Sequence, residues 1–264
     1  MDEKGQLDWD KWKWYLAGSE SWVTYLLPGL LTTLLAAGLS VVIALPIGAV
    51  FGIARLSDHL WIRVPAGVIV EFFRAIPVLV LMLFALTFYF LFTDVESETR
   101  YLLAVVTGLV LYNGSVLAEV VRAGIQSLPR GQTEAGLALG MRKGQLMNNV
   151  LLPQAVTAML PAIVSQLVVI VKDTAIGGAV FGFSELIAQA RPAAAYYNQS
   201  TIATLVVIAV VFIVINFALT SFAGWLEHKL RTRKGGSRAV LAGDMIEEQA
   251  PGMEVTDMRS GRAG

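Results

Sequence analysis

The sequence predicts an all-α integral membrane protein with about five transmembrane helices. Hydrophobic residues make up 56% of the 264 residues, charged residues make up only 15%, and the mean hydropathy is +0.65. A soluble domain carries about 25% charged residues, so this chain has too few charges to cover a water-soluble globule. Long runs without Asp, Glu, Lys or Arg recur along the chain, and a spanning helix needs about 20 mostly apolar residues.

Each charge-free run predicts one membrane crossing. We expect the second helix to begin before its run, near Trp61, so that Glu71 and Arg74 lie within it. The fourth crossing is expected to be followed by a broken, glycine-rich segment at 174–184, and a sixth crossing there is the less favoured alternative. Prolines kink or interrupt helices, and the ones expected to do so inside these runs are Pro28, Pro46, Pro77 and Pro161. The runs cover residues 21–54, 75–93, 101–118, 144–171 and 192–226.

The distribution of charges predicts which side each connection faces. Segment 1–20 carries more acids than bases, and the connection between the second and third crossings holds acids with only Arg100. The first and third connections and the segment after the last crossing are rich in Arg and Lys instead. Basic residues accumulate on the cytoplasmic side of a membrane. We therefore expect the amino end to be outside and the carboxyl end to be in the cytoplasm.

This topology divides the chain into a head, a transmembrane domain and a tail. Segment 1–20 contains several tryptophans, which favour the headgroup layer, so we expect an amphipathic head on the outer surface. Residues 21–228 form the predicted transmembrane domain, with a large cytoplasmic connection at 127–152. Segment 229–264 is rich in glycine and charge, and it is expected to be a disordered cytoplasmic tail.

Several function classes are excluded by composition and by missing motifs. Twenty basic residues balance twenty acidic ones, which excludes a general nucleic-acid binder. The sequence has no Cys and only two His, which argues against disulfides, thiol catalysis and a metal centre. Neither G-x-x-x-x-G-K-[ST], H-E-x-x-H nor G-x-S-x-G occurs. We expect no catalytic residue, metal or cofactor in this chain, and any ATP must be bound by another chain.

The most specific pattern lies in the connection at 127–152. Glu134-Ala135-Gly136 is followed after three residues by Gly140, and after nine more by Val150-x-Leu152-Pro153. This spacing resembles the EAA loop of permease subunits of ATP-binding-cassette (ABC) importers, whose consensus is EAA, three residues, G, nine residues, I-x-L-P. Gly136 stands in place of the second Ala, and Val150 in place of Ile. The alternative is an ordinary surface helix-turn-helix. The matching residues in this segment, called here the EAA-like loop, are Glu134, Ala135, Gly136, Gly140, Leu152 and Pro153.

The resemblance assigns the EAA-like loop a role in coupling to an ATPase. Ala135, Gly136 and Gly140 are expected to leave a helix face with almost no side chain, so that a partner's groove can approach the backbone closely. Glu134 would supply one orienting charge. The nucleotide and its magnesium would then be held by that ATPase.

Other segments resemble the polar-amino-acid branch of these permeases, and most closely the actinobacterial glutamate-importer permeases. The resemblance to the branch rests on E-F-F-R-A-I-P at 71–77 and K-D-T at 172–174, and it extends from about 29 to 226. The segments most similar to the glutamate-importer permeases are A-R-L-S-D-H at 54–59, R-V-P-A at 63–66 and L-Y-N-G-S-V-L-A-E at 111–119. The resemblance implies a type I ABC importer permease fold in the bacterial cytoplasmic membrane, working by alternating access. It also implies three partners: a cytoplasmic ABC ATPase dimer, a second permease subunit and an extracytoplasmic amino-acid-binding protein.

Polar residues inside the crossings are candidates for the substrate path or its gate. Glu71 is expected near the membrane midplane, because it lies about 15 Å along a helix from Trp61. Glu119 and Arg122 are expected near the cytoplasmic side, where structural pairing is an equal alternative. Interhelical hydrogen bonding is the alternative for the neutral residues. The candidates are Glu71, Arg74, Asn113, Ser115, Glu119, Gln166, Lys172, Asp173 and Thr174.

The spacing of charges and glycines predicts local details of this path. Glu71 and Arg74, like Glu119 and Arg122, are three residues apart, so each acid lies beside its base on one helix face. Lys172 and Asp173 are expected in the outer half, where the glycines at 177, 178 and 182 let a helix break and form a gate. The small-residue spacing at 48–52 and at 178–182 also suits helix packing.

Two other function classes remain open at this level. An ion-driven secondary transporter or channel could use the intramembrane acids as a proton relay, but the EAA-like loop would then have no purpose. A membrane-embedded enzyme would need a nucleophile, metal or cofactor motif, and the sequence has none that is recognisable.

Overall fold

The computed structural model describes residues 22–196 and 202–222, together with 224, 225 and 229. The chain divides into two compact units, Met1–Gly224 and Trp225–Gly264. In the second unit, the Nζ atom of Lys229 lies 4.8 Å from the centroid of the Trp225 ring. The predicted head at 1–20 lies outside the described residues, as does the predicted tail beyond Lys229.

All regular secondary structure in the described residues is helical, as the composition predicts. A π-helical turn, Trp22–Leu26, leads into the first helix, and a second one, Met147–Leu151, leads into the seventh. The helices are α1 (Leu27–Ala54), α2 (Leu60–Ala75), α3 (Val78–Phe92), α4 (Ser97–Gln126), α5 (Arg130–Ala138), α6 (Lys143–Leu146), α7 (Leu152–Phe181), α8 (Ala190–Tyr196) and α9 (Ile202–Phe222).

The membrane crossings agree with the predicted number. Four continuous helical segments are long and apolar enough to cross a membrane: Trp22–Ala54, Ser97–Gln126, Lys143–Phe181 and Ile202–Phe222. Helices α2 and α3 meet the same criterion only as a pair, and they are bent by 99° at their junction. Counting this pair as one broken crossing gives five, which confirms the prediction of about five transmembrane helices.

The second crossing begins near Trp61, as expected, and is a bent pair of helices. The break falls at Ile76 and Pro77, where Ile76 has an extended conformation with φ −89° and ψ 129°. A proline disfavours the helical conformation of the residue before it and has no N–H of its own to donate. Pro77 therefore interrupts the helix as predicted. Helices α1 and α7, by contrast, continue through Pro46 and Pro161.

The fourth crossing does not break at its glycines, so the expected broken segment at 174–184 is wrong. Helix α7 continues through Gly177 and Gly178 to Phe181, and Gly182 ends it in the left-handed conformation with φ +76°. Both of these glycines are buried, and neighbouring groups lie where a side chain at either position would have to be. A Cβ on Gly177 would lie 2.5 Å from Cγ2 of Val105, and one on Gly178 would overlap Oε1 of Glu185.

Helix α4 occupies the centre of the bundle and contacts α1, α2, α3 and α7. It approaches α1 closely because a Cβ on Gly48 would lie 2.6 Å from Cβ of Leu117, and one on Gly52 would lie 2.7 Å from the carbonyl oxygen of Ala118. Small residues four apart allow such close backbone contact. The packing interpretation of residues 48–52 is therefore confirmed. The largest buried cluster includes Ala36, Met82, Val105, Leu109 and Ile170.

Candidate functional site

The EAA-like loop contains two short helices separated by a tight turn. Glu134, Ala135 and Gly136 lie in α5, which ends when the Met141 N–H donates to the Gly136 carbonyl oxygen at 3.1 Å. This bond spans the residue Gly140, whose φ of +76° is left-handed. Glycine is favoured at this position after a helix because it has no Cβ to clash. Gly140 is therefore needed for the turn itself.

Gly136 faces its own chain. It is buried, and a Cβ there would lie 2.5 Å from Cδ1 of Leu146 in α6. The sequence predicts that Gly136 and Gly140 both lie on a bare helix face that a partner can approach. This prediction is wrong for both glycines, because α6 covers Gly136 and because Gly140 lies after the end of α5. The exposed residues of α5 and its turn include Glu134, Ala135, Leu137 and Leu139, and the last of these is 83% exposed.

Leu152 and Pro153 fix how the EAA-like loop enters the seventh helix. Pro153 lies in the first turn of α7, directly after the π-helical turn Met147–Leu151. Leu152 is half-buried and packs against the cluster formed by Val121, Ile125, Ala155 and Met159. A shift of the loop therefore reaches α4 and α7 directly.

Arg55 joins three helices. It is the first residue after α1, and its side chain is 14% exposed. Its Nη1 atom lies 2.8 Å from Oε2 of Glu119 on α4, and its Nη2 atom lies 2.9 Å from Oε1 of Glu71 on α2. From the sequence, Arg55 contributes only to a basic connection, since spacing along one helix says nothing about partners on other helices.

The two predicted same-helix ion pairs are both present. Arg122 donates hydrogen bonds to both carboxylate oxygens of Glu119, and Nη1 of Arg74 lies 3.6 Å from Oε1 of Glu71. Nη1 of Arg74 also lies 3.9 Å from Oε2 of Glu119. These side chains with Arg55 form one group, called here the charge cluster, whose members are Arg55, Glu71, Arg74, Glu119 and Arg122.

Glu71 does not lie near the midplane, contrary to the expectation. Its Oε1 atom is 2.9 Å from Arg55, the residue immediately after the end of α1, so Glu71 is level with that end of the bundle. Helix α2 is bent by 99° relative to α3, so the two helices do not follow one straight line. Distance along α2 is therefore not depth in a membrane.

The connection between α1 and α2 also contacts the EAA-like loop. Nζ of Lys143, the first residue of α6, lies 2.6 Å from Oδ2 of Asp58. This hydrogen bond and the positive charge of Lys143 hold the pKa of Asp58 below its usual value. Both side chains are largely exposed, so the pair stabilises the fold little. The pair instead links the EAA-like loop to the charge cluster, because Asp58 and Arg55 lie in the same short connection.

Asn113 and Gln166 are bound to each other. Asn113 is fully buried, and its Oδ1 accepts a hydrogen bond from Nε2 of Gln166 on α7. Its Nδ2 donates to the carbonyl oxygen of Leu109 at 2.9 Å. The Oγ of Ser115 donates to Leu111 within α4. The interhelical hydrogen-bonding interpretation is therefore confirmed for the amide pair.

The structure does not join Lys172, Asp173 and Thr174 to the charge cluster. All three lie within the continuous helix α7. Thr174 is fully buried, and its Oγ1 donates to the carbonyl oxygen of Val171 at 2.8 Å. Lys172 is exposed and Asp173 is half-buried. The expected gate, formed by a helix breaking at the nearby glycines, is wrong because α7 does not break there.

Glu185 is a buried acid that sequence reasoning missed. It lies in the connection after α7, is 0% exposed, and contacts Thr33 on α1. Glu185 lies between the predicted crossings 144–171 and 192–226, so it is not among the intramembrane charges expected from the sequence. Its place as the single charged residue in the stretch 175–190 is the signal that points to it.

Comparisons with known proteins agree with this architecture. The family described as "Binding-protein-dependent transport system inner membrane component" matches residues 44–232. The glutamate transport system permease protein GluD of Corynebacterium glutamicum is 44% identical over 97% of this chain and 92% of its own length. The glutamate/glutamine/aspartate/asparagine transport system permease protein BztC of Rhodobacter capsulatus is 30% identical over 77% of this chain, which spans 47% of that protein.

A solved structure supports the same relationship. One chain of the crystal structure of an amino acid ABC transporter with histidines superposes with a TM-score of 0.70 and 28% identity, covering 77% of this chain and 93% of that one. The fold, the spans and the family match all point the same way. This chain belongs to the binding-protein-dependent transport system inner membrane component family, as a multi-pass permease subunit of the ABC importer class.

Proposed function

We propose that this permease imports polar amino acids, with glutamate as its substrate, and that a separate ATPase drives it. The observation that carries the substrate is the 44% identity to a glutamate permease over 97% of the chain. In this proposal the chain forms the path through a bacterial cytoplasmic membrane and catalyses no covalent step. A binding protein delivers the amino acid outside, and a second permease subunit completes the path.

The EAA-like loop is the proposed docking surface for the ATPase. Leu137 and Leu139 are 44% and 83% exposed beside Glu134. Contiguous exposed apolar surface is typical of protein interaction sites, and the two leucines beside Glu134 support docking of a partner here. The basic residues of this loop place it on the cytoplasmic side in the proposed topology. ATP and magnesium are bound by the docked partner.

Motion of the docked loop has two direct routes into the spans. One route is covalent, because the loop continues through Leu152 and Pro153 into α7. The other is the contact of Lys143 with Asp58, in the same connection as Arg55. Arg55 in turn binds α2 and α4 through Glu71 and Glu119. Alternating access then means that nucleotide-driven movement of α5 and α6 rearranges these helices.

The charges of the cluster suit an anionic substrate. Its three arginines outnumber its two glutamates. Arg74 donates no hydrogen bond to a described residue and lies 3.6 Å from the Glu71 carboxylate, so its guanidinium can bind a carboxylate as the substrate passes. Glu71, Glu119 and Gln166 remain candidate path residues. Asn113 and Ser115 remain candidates as well, and the hydrogen bond between Asn113 and Gln166 also joins α4 to α7.

Uptake into proteoliposomes tests the proposal. The chain is reconstituted with the proposed partner ATPase, second permease and binding protein, and entry of labelled glutamate is followed with ATP, without ATP, and with a non-hydrolysable analogue. We expect uptake only with hydrolysable ATP, and competition by other acidic or amide amino acids before basic or apolar ones. Uptake that needs an ion gradient and not ATP would contradict the mechanism. ATP-driven uptake of a different amino acid would contradict only the substrate.

A further inference from the structure

The turn 182–189, which joins α7 to α8, is folded around the buried carboxyl group of Glu185. Oε1 of Glu185 accepts hydrogen bonds from the backbone N–H groups of Ile187 at 2.8 Å and Ala188 at 3.0 Å. Gly178 on α7 leaves the space for this oxygen, which any Cβ there would overlap. The side chain therefore holds the turn in shape from inside.

The second carboxyl oxygen ties the turn to α1. Oε2 of Glu185 lies 3.3 Å from Oγ1 of Thr33, which also accepts a hydrogen bond from the Leu186 N–H at 3.2 Å. The same hydroxyl lies 3.0 Å from the carbonyl oxygen of Gly29. A hydroxyl has one hydrogen to donate, and here two acceptors lie within reach of it. A proton on Glu185 supplies the second hydrogen and satisfies both contacts.

No described cation pairs with Glu185. Residues 22–54 and 202–222, which include α1 and α9, contain no Asp, Glu, Lys or Arg. Charged groups on the other neighbouring elements are Lys172 and Asp173 earlier on α7, Arg191 on α8, and Glu98 on α4, which accepts from Ser184 at 3.3 Å. The titratable Tyr25 precedes α1. Burial raises the pKa of Glu185 to about 7, although its backbone hydrogen bonds lower it.

We propose that Glu185 is the positioning residue of the turn 182–189 and that it holds this turn against α1 only while its carboxyl group is protonated. An ionised carboxylate buried without a cation is strongly disfavoured, so loss of the proton releases the turn. The connection between the last two crossings is then sensitive to pH. This inference goes beyond the proposed function, because it requires no particular substrate or partner.

Cysteine labelling tests the inference directly, because the chain has no Cys of its own. Ala188→Cys is introduced in the turn, and labelling by membrane-permeant N-ethylmaleimide is measured in the reconstituted full complex at several pH values. Because thiols react faster as pH rises, each rate is divided by that of Ser97→Cys, an exposed site on α4. We expect the ratio to rise by up to roughly tenfold between about pH 6 and about pH 8, following the ionised fraction of the acid.

Two variants separate the proton from the shape of the side chain. Glu185→Gln keeps an acceptor for the turn and a donor for Thr33 but cannot ionise, so its ratio should stay low at every pH. Thr33→Val removes the tie to α1, so its ratio should be raised even at low pH, whereas Thr33→Ser should behave as the parent chain. A flat ratio in the parent chain would overturn the proposal, and so would the same rise in Glu185→Gln. Neither result would contradict the proposal of ATP-driven glutamate uptake, which uptake into proteoliposomes tests separately.

Discussion

Nη1 of Arg55 lies 2.8 Å from Oε2 of Glu119, which binds the end of α1 to the central helix α4. The same guanidinium reaches Glu71 on α2 with its other terminal nitrogen. One arginine therefore joins the end of α1 to both α2 and α4. Glu119 also binds Arg122, so Glu119 keeps an ion pair when Arg55 is removed. Glu71 loses its closest cationic partner.

Substituting Arg55 should loosen this end of the bundle. Hydrogen bonds to charged groups contribute about 1.5–3 kcal/mol when partly buried, so Arg55→Gln should lower the thermal midpoint of the purified chain by several degrees. Arg63→Gln is the matched control, since Arg63 is exposed on α2. Intrinsic tryptophan fluorescence in detergent follows the transition. Equal midpoints for the two variants would refute the bridging role of Arg55.

Two glycines of α1 should respond oppositely to the same substitution. A Cβ on Gly52 would lie 2.7 Å from the carbonyl oxygen of Ala118, which cannot move aside, whereas nothing lies within 4 Å of a Cβ on Gly38. Gly52→Ala should therefore destabilise the chain by about 1–3 kcal/mol through overpacking. Gly38→Ala should be neutral or slightly stabilising, because Ala favours helices. Thermal unfolding of the two variants is the measurement, and a loss at Gly38 would contradict the packing described.

The amide pair distinguishes packing from a role in the path. Gln166→Leu leaves the fully buried Oδ1 of Asn113 without its donor, which should destabilise by about 1–3 kcal/mol. Adding Asn113→Leu should recover most of that loss, because both polar groups are then gone. Glutamate uptake by the double variant decides the second role. Stability restored without uptake would place the pair in the path, and restored uptake would restrict it to packing.

Charge-free runs identified four crossings well, because burial in lipid selects against charge over the whole length of a helix. The break at Pro77 was also predictable, since it depends on a local property of proline. The angle of the bend was not, because it depends on how α2 packs against α4. Because of that bend, Glu71 lies in the charge cluster and not at the midplane position predicted from the sequence.

Contacts within one helix were predictable and contacts between helices were not. The pairs of Glu71 with Arg74 and of Glu119 with Arg122 follow from the helical repeat. The partners of Arg55 and the Thr33 partner of Glu185 lie on distant helices, at sequence separations that no periodicity encodes. Gly136 illustrates the same limit, since the spacing marked it as special but could not show that Leu146 covers it.

The contact between Asp58 and Lys143 should matter for coupling more than for stability. Lys143→Asp should lower the amino acid transported per ATP hydrolysed by less than about threefold, because exposed pairs are weak, and adding Asp58→Lys should restore it. The pKa of Asp58 is lowered in the folded chain, so this contact persists above that pKa and is lost only as pH falls through it. Asp58→Asn should therefore leave the pH profile unchanged between about pH 5 and pH 8. A profile altered by this variant in that range would contradict the assignment.

An ATPase is proposed to dock on the exposed surface of the EAA-like loop at Leu139 and Glu134. The rate of ATP hydrolysis by the reconstituted complex, measured together with glutamate uptake for Leu139→Asp and Glu134→Lys, tests this docking. Glu96→Lys, in the connection between α3 and α4, is the control. An interface residue worth about 1.4 kcal/mol changes binding tenfold, so we predict that uptake and permease-stimulated hydrolysis fall together by about tenfold in both loop variants and not in the control. Rates of uptake and of ATP hydrolysis equal to those of the unsubstituted complex would contradict docking of the ATPase at this surface.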